Sequence, residues 1–153
     1  MRRTTYQQGR AGSGCSCCNS GDRGPLPYTV NVSQAAHDNT AFRSALWTGG
    51  HMQMTLMSIP VREDIGVEMH PDTDQYIRVE DGQAIVRTGS CRDRLENQCS
   101  LTIGDAVFVP AGTWHNIINT GCCPLKLSSV YAPPHHPRCT LHQTKQDAEC
   151  ASH

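Results

Sequence analysis

The chain predicts an all-β fold, a barrel or sandwich built from many short strands. Three observations predict it. Short alternating segments recur between turns rich in Gly, Pro and Asp, the punctuation of antiparallel barrels and sandwiches. Residues 52–59, MQMTLMSI, alternate apolar and polar side chains with the period of two that a half-buried strand needs. The segment VEDGQAIV sets Asp81-Gly82 between two strand-like runs, a strong hairpin signal. At 153 residues one domain is expected.

The elements follow in order. Residues 1–27 carry Gly, Ser, Arg, Cys and Pro without periodicity and read as a disordered leader, with Cys15, Cys17 and Cys18 incidental to it. The barrel is expected over 28–133 and a tail over 134–153. Ser33 is placed to cap a short helix running to Asp38. FRSALW (42–47) reads as a strand and TGG as a turn. In 52–59, Met52, Met54 and Leu56 form the expected buried set against Gln53 and Thr55. VEMH (67–70) reads as a strand, PDTD as a turn, QYIRVE and QAIVRT as strands. The stretch 91–99 is a polar hairpin tip, across which Cys91 and Cys99 can face each other and bond if oxidised. AVFVP, WHNIIN and LKLSSVY supply the later strands.

Composition removes several classes. Hydrophobic residues make up 37% and aromatics 5%, a modest core. Net charge is −1 without a basic block, which argues against a nucleic-acid partner. No apolar run is long enough to span a bilayer. The N-terminus lacks the apolar region of a secretory signal, so a cytoplasmic location is expected. Nine cysteines cannot all pair internally, and in a reducing compartment most should be thiols.

Two motifs carry chemistry. Gly104 to Asn119, GDAVFVPAGTWHNIIN, holds Gly104, Pro110, Gly112, His115 and Asn119 in the pattern G, five residues, P, one, G, two, H, three, N. Upstream, Gly66 to Gly82 places Glu68, His70, Gln75 and Gly82 at the spacing HxH, four, E, six, G. Together they resemble the two signature motifs of the cupin superfamily, over roughly residues 42–131. The resemblance implies a double-stranded β-helix (jelly-roll) cupin barrel with short N- and C-terminal helical turns. It also implies a metal inside the barrel, a tail folded back over it with a helical turn at Thr144–Glu149, and a homodimer. Two identities depart from the pattern. Glu68 stands where a histidine is usual, and Gln75 where a glutamate is usual.

Strand alternation places Glu68 and His70 on one face. With Gln75 inward, Ile77 and Val79 also point inward, and Tyr76, Arg78 and Glu80 point out. His115 inward carries Ile117 and Asn119 with it. Glu68, His70, Gln75 and His115 then converge, and burying such groups unpaired costs about 1–3 kcal/mol each. One divalent metal ion is therefore the expected cofactor. Imidazole, carboxylate and amide donors suit Fe, Mn, Ni or Zn, and the lack of thiolate argues against Cu(I).

Two arrangements stay open. Glu68, His70 and His115 can form a two-His-one-carboxylate set suited to oxygen chemistry. Alternatively Gln75 ligates with the histidines and Glu68 is left as a catalytic base. The expected function is an enzyme acting on a small polar oxygenated substrate, a sugar, uronate or keto-acid, by isomerisation or tautomerisation. The alternatives are a non-haem Fe(II) dioxygenase and a non-catalytic metal- or sugar-binding module. Tyr131, inward with Leu127 and Ser129, is a secondary catalytic candidate. His51 reads as a surface residue, and Asp72 and Asp74 as turn formers. His135, His136 and His142 read as a solvated loop rather than a lid or second metal site. Trp114, of opposite parity to His115, is expected outside the barrel, where it suits a dimer interface. No basic cluster is evident at the barrel mouth to hold a phosphate.

Overall fold

Two antiparallel sheets collect the short strands in a computed structural model that describes residues 21–152. The elements are α1 (Val32–Asp38), β1 (Arg43–Thr48), β2 (Gln53–Ile59), β3 (Asp74–Asp81), β4 (Ala84–Gly89), β5 (Asn97–Leu101), β6 (Ala106–Val109), β7 (Trp114–Asn119), β8 (Leu125–Ala132), β9 (Leu141–His142) and α2 (Lys145–Ala151). The larger sheet runs β6-β3-β8-β2-β1-β9 and the smaller β5-β4-β7. The core lies between them. Ile59, Ile77, Val79 and Leu127 from the larger sheet meet Val86 and Ile117 from the smaller, all nearly inaccessible. Each such side chain contributes about 1.5–3 kcal/mol by leaving water. This is the double-stranded β-helix that the motifs imply.

Asp81-Gly82 does not close a hairpin. β3 lies in the larger sheet and β4 in the smaller, so the turn is a corner where the chain changes sheets. A tight-turn dipeptide encodes a reversal of direction and says nothing of which strands then pair. The register of β2 is also inverted. Gln53 and Thr55 are fully buried and Met52 is 42% exposed. The barrel interior is partly polar, and the Met54 side lies on the outer surface, in a groove with Tyr28, Val30 and Trp47. Leu56 is buried as expected, on the outer face under α1.

Asn31, not Ser33, caps α1, and its side chain accepts from the Gln34 N–H at 3.0 Å. Ser33 Oγ instead donates to Glu80 Oε2 at 2.7 Å. Glu80, expected outside with Tyr76 and Arg78, is on that face yet only 8% exposed, because α1 covers it. Ser128 and Arg78 also donate to its carboxylate.

VEMH forms one isolated bridge, Glu68 to His115, rather than a strand. The β4–β5 hairpin exists, but Cys99 lies opposite Val86 and Cys91 bridges to Arg94, so those two thiols do not face each other. Cys91, Cys99, Cys122, Cys123 and Cys150 are free, and Cys139 is disulfide-bonded.

The expected leader reached residue 27, but residues from 21 onward join the barrel. Asp22 accepts from the N–H of Gly24, Thr48 and Cys139, and a Cβ on Gly24 would lie 2.0 Å from the Thr48 carbonyl oxygen. Cys15, Cys17 and Cys18 lie outside the described residues. In the tail, β9 pairs with the edge of β1. Thr144 and Asp147 make a capping box at α2, and Ala148 of that helix enters the core.

Candidate metal centre

Backbone hydrogen bonds join the two motifs before any side chain does. Glu68 N–H donates to the His115 carbonyl at 3.0 Å, and His115 N–H returns a bond to Glu68 at 2.9 Å. Gly112 N–H donates to the His70 carbonyl at 2.8 Å. Directly paired residues project to the same face, so Glu68 and His115 point together into the barrel. The motif glycines serve this placement. Gly104 (φ 91°) and Gly112 (φ 80°) turn the chain in the left-handed region before β6 and β7, which other residues enter at a cost.

His115 Nε2 lies 3.3 Å from Glu68 Oε1, and His70 Nε2 lies 3.5 Å from the same oxygen. All three atoms are within 4.8 Å of one another. His115 is 0% and His70 5% exposed. His115 Nδ1 is 3.1 Å from the Thr113 carbonyl, which only accepts, so Nδ1 carries the proton and Nε2 offers its lone pair. That is the backing expected of a ligating histidine. Glu68 Oε1, His70 Nε2 and His115 Nε2 are buried without a hydrogen-bond partner. Three orphaned donors of this chemistry fit a divalent cation, and a cation there removes the cost of leaving them unpaired. Burial alone raises the Glu68 carboxyl. The adjacent His115 and His70 and the charge of Arg43 outweigh burial and hold it well below the usual carboxylate range.

Gln75 is inside as expected, 4% exposed. Its amide nitrogen donates to Ser129 Oγ at 2.8 Å, and its oxygen has no partner. Tyr131 is fully buried and its hydroxyl has no hydrogen-bond partner. Burial raises the phenol, the charge of Glu68 adds to this and Arg43 opposes it. Its ring lies 5.6 Å from that of His70.

The histidine pair is solvated at His135, which is exposed, but it is not a free loop. The His135 ring sits 4.0 Å from His70, and the His136 ring 5.0 Å from Tyr131. Gln53 holds the pair there. Its Nε2 donates to the His136 carbonyl and its Oε1 accepts from the His136 N–H, both at 3.0 Å. Burial pushes His136 down to about 2, with Arg43 adding to the effect. His142 on β9 lies directly opposite Arg43, its Nδ1 buried without a hydrogen-bond partner, and His51 is exposed. Asp74 accepts from Ala111 N–H at 2.8 Å.

Arg43 escaped the sequence reading. Its side chain is 6% exposed and Nη2 is 3.8 Å from Glu68 Oε2. The available signal was its parity, in phase with the small, buried Ala45 on β1. Arg43, Glu68, His70, Arg92, His135 and His136 line a cavity of about 410 Å³. Trp114, expected outside the barrel, also lines it, as does Lys145. The mouth therefore carries basic side chains after all, although Lys145 is paired with Asp64. Among the described residues no helix is long and apolar enough to cross a membrane.

The geometry agrees with what the chain resembles. The YrkC protein of Bacillus subtilis (strain 168) is 54% identical over 85% of this chain and 70% of its own length. The L612 protein of Acanthamoeba polyphaga mimivirus is 44% identical over 72% of this chain and 68% of its own. The crystal structure of BH2720 from Bacillus halodurans superposes with TM-score 0.83 at 53% identity, covering 84% of this chain and 98% of that one. KdgF from Halomonas shares the fold alone, with TM-score 0.54 at 16% identity over 61% of this chain and 80% of its own. The cupin domain model matches residues 55–131, and this chain belongs to the cupin family.

Proposed function

We propose that this protein is a divalent-metal-dependent enzyme acting on a small oxygenated molecule, with Glu68, His70 and His115 as the metal ligands. One observation carries the proposal: three buried donor atoms without hydrogen bonds, all within 4.8 Å of one another, on residues of which Glu68 and His70 line a cavity. Bound there, a cation supplies Lewis acidity and, as Fe(II), redox chemistry with dioxygen.

Arg43 favours the ligand role for Glu68 over the base role. Its guanidinium helps keep the carboxylate ionised. That aids coordination and weakens Glu68 as a proton acceptor, since a base works best with a pKa near the working pH. Two histidines and one carboxylate with open positions are the donor set of non-haem Fe(II) oxygenases. Dioxygenase chemistry on a diol, catechol or β-diketone becomes the leading reading. Thr113 orients His115, and the Gln53-held histidine loop covers the side of the site next to Tyr131.

Isomerisation or tautomerisation of a sugar, uronate or keto-acid is the second reading, and Tyr131 favours it. Burial keeps that phenol protonated beside His70, where it can donate a hydrogen bond to a developing enolate oxygen. Anaerobic reconstitution with Fe(II), followed by oxygen uptake with each substrate class, separates the two. Glu68→Gln is expected to lower both metal content and turnover. Full metal content with turnover abolished would move Glu68 to the base role. No turnover, with a sugar still raising the melting temperature, would point to a binding module.

A further inference from the structure

We propose that Arg43 anchors a carboxylate of the substrate, so that the site takes a small carboxylic acid with a second oxygen donor, such as a 2-oxo or 2-hydroxy acid. This rests on the reading of Glu68, His70 and His115 as a metal centre, and among the substrate classes named above it selects the keto-acid and uronate over the diol, catechol and β-diketone.

Arg43 enters from β1, paired across the sheet with Met57. Burying a guanidinium is costly unless it is paired and hydrogen-bonded. The pairing here is incomplete. Nη2 lies 3.8 Å from Glu68 Oε2, beyond hydrogen-bond length, and 4.0 Å from Met57 Sδ, a weak acceptor. Nε is buried without a partner. A fork of five N–H donors thus sits in the cavity wall with no strong acceptor on it.

Charge points the same way. A divalent cation with Glu68 leaves one positive charge, and Arg43 adds a second inside the cavity. Arg92, Lys145 and Glu149 line the same cavity, with Lys145 paired to Asp64. Glu68 cannot answer both, because Oε1 is turned to the histidines and only Oε2 faces Arg43. An incoming anion answers both. The planar fork matches a carboxylate through two parallel hydrogen bonds, while a neighbouring oxygen of the same molecule reaches the ligand cluster. A small molecule fits within its volume of about 410 Å³.

The test uses calorimetry on zinc-loaded protein with malonate and pyruvate, their neutral amides malonamide and pyruvamide, and inorganic phosphate. The acids are expected to bind more tightly than the amides. In Arg43→Met the acids should weaken roughly 10- to 100-fold, the loss of hydrogen bonds to a charged group, while the amides hold. Arg43→Lys keeps the charge without the fork, so it should fall between, and it carries the test if Arg43→Met does not fold. Zinc content and near-UV circular dichroism confirm that each variant is intact. Equal weakening of acids and amides, unchanged acid binding, or tighter binding of phosphate than of either acid overturns the proposal. If zinc fails to load, the metal reading has failed separately. On metal-free protein, an acid-over-amide preference that vanishes in Arg43→Met still supports the anchor, and no preference overturns it.

Discussion

Asn119 closes the second motif, yet its side chain bonds away from the ligand cluster. Its Nδ2 donates to the carbonyls of Ile59 (3.0 Å), Pro60 (3.2 Å) and Cys123 (2.9 Å), and its Oδ1 accepts from Gly121 N–H at 2.9 Å. It is 3% exposed. One amide thus fastens the β7–β8 turn to the end of β2. Asn119→Ala removes about three net hydrogen bonds at roughly 1 kcal/mol each, and buried carbonyls left unpaired push the loss to about 3–5 kcal/mol. For a domain of this size that lowers the melting temperature by about 6–20 °C. Asn119→Asp sets an oxygen against three carbonyls, so the introduced carboxyl has a folded pKa above its unfolded value of about 3.9. The folded state then binds more protons. The variant is least impaired below about pH 4 and loses stability as the pH rises through the raised value. Urea denaturation at pH 7 and pH 4 measures both. An alanine variant within about 0.5 kcal/mol of wild type refutes the fastening role. So does one that loses metal without losing stability.

Further expectations concern Glu80 and α2. Burial raises Glu80, but bonds from Ser128, Ser33 and Arg78 outweigh it and the net shift is downward. Its contribution is therefore present above the unfolded value of about 4.3 and lost as the pH falls through the lower folded value. Glu80→Gln should be less stable at pH 7, with a shallower acid loss below about pH 4.5, measured by thermal melts across pH; a wild-type acid slope contradicts this. Thr144→Ala breaks the capping box of α2 and should cost about 1 kcal/mol in chemical denaturation with metal content unchanged.

The ligand cluster was legible because fixed spacing carries register. Glu68, His70 and His115 arrive on one face through parity and two turns, all encoded within short segments. Gln53 and Thr55 were misassigned because alternation reveals two faces without saying which is inside. A barrel that houses polar chemistry puts some of its polar face inward. The clamp from Gln53 to His136 spans 83 residues, and no local pattern foretells it. Arg43 looked like any strand-edge arginine until the other strands closed around it. Asp81-Gly82 announced a turn correctly but could not announce a change of sheet, since that depends on how the later strands β7 and β8 pair.

The central claim is the metal centre, and elemental mass spectrometry tests it most directly. Protein purified anaerobically without chelator or His-tag is compared with His115→Ala. The account expects near one equivalent of Fe, Mn, Ni or Zn in the wild type and its loss in the variant. No metal in either protein after reconstitution, or equal metal in both, contradicts it.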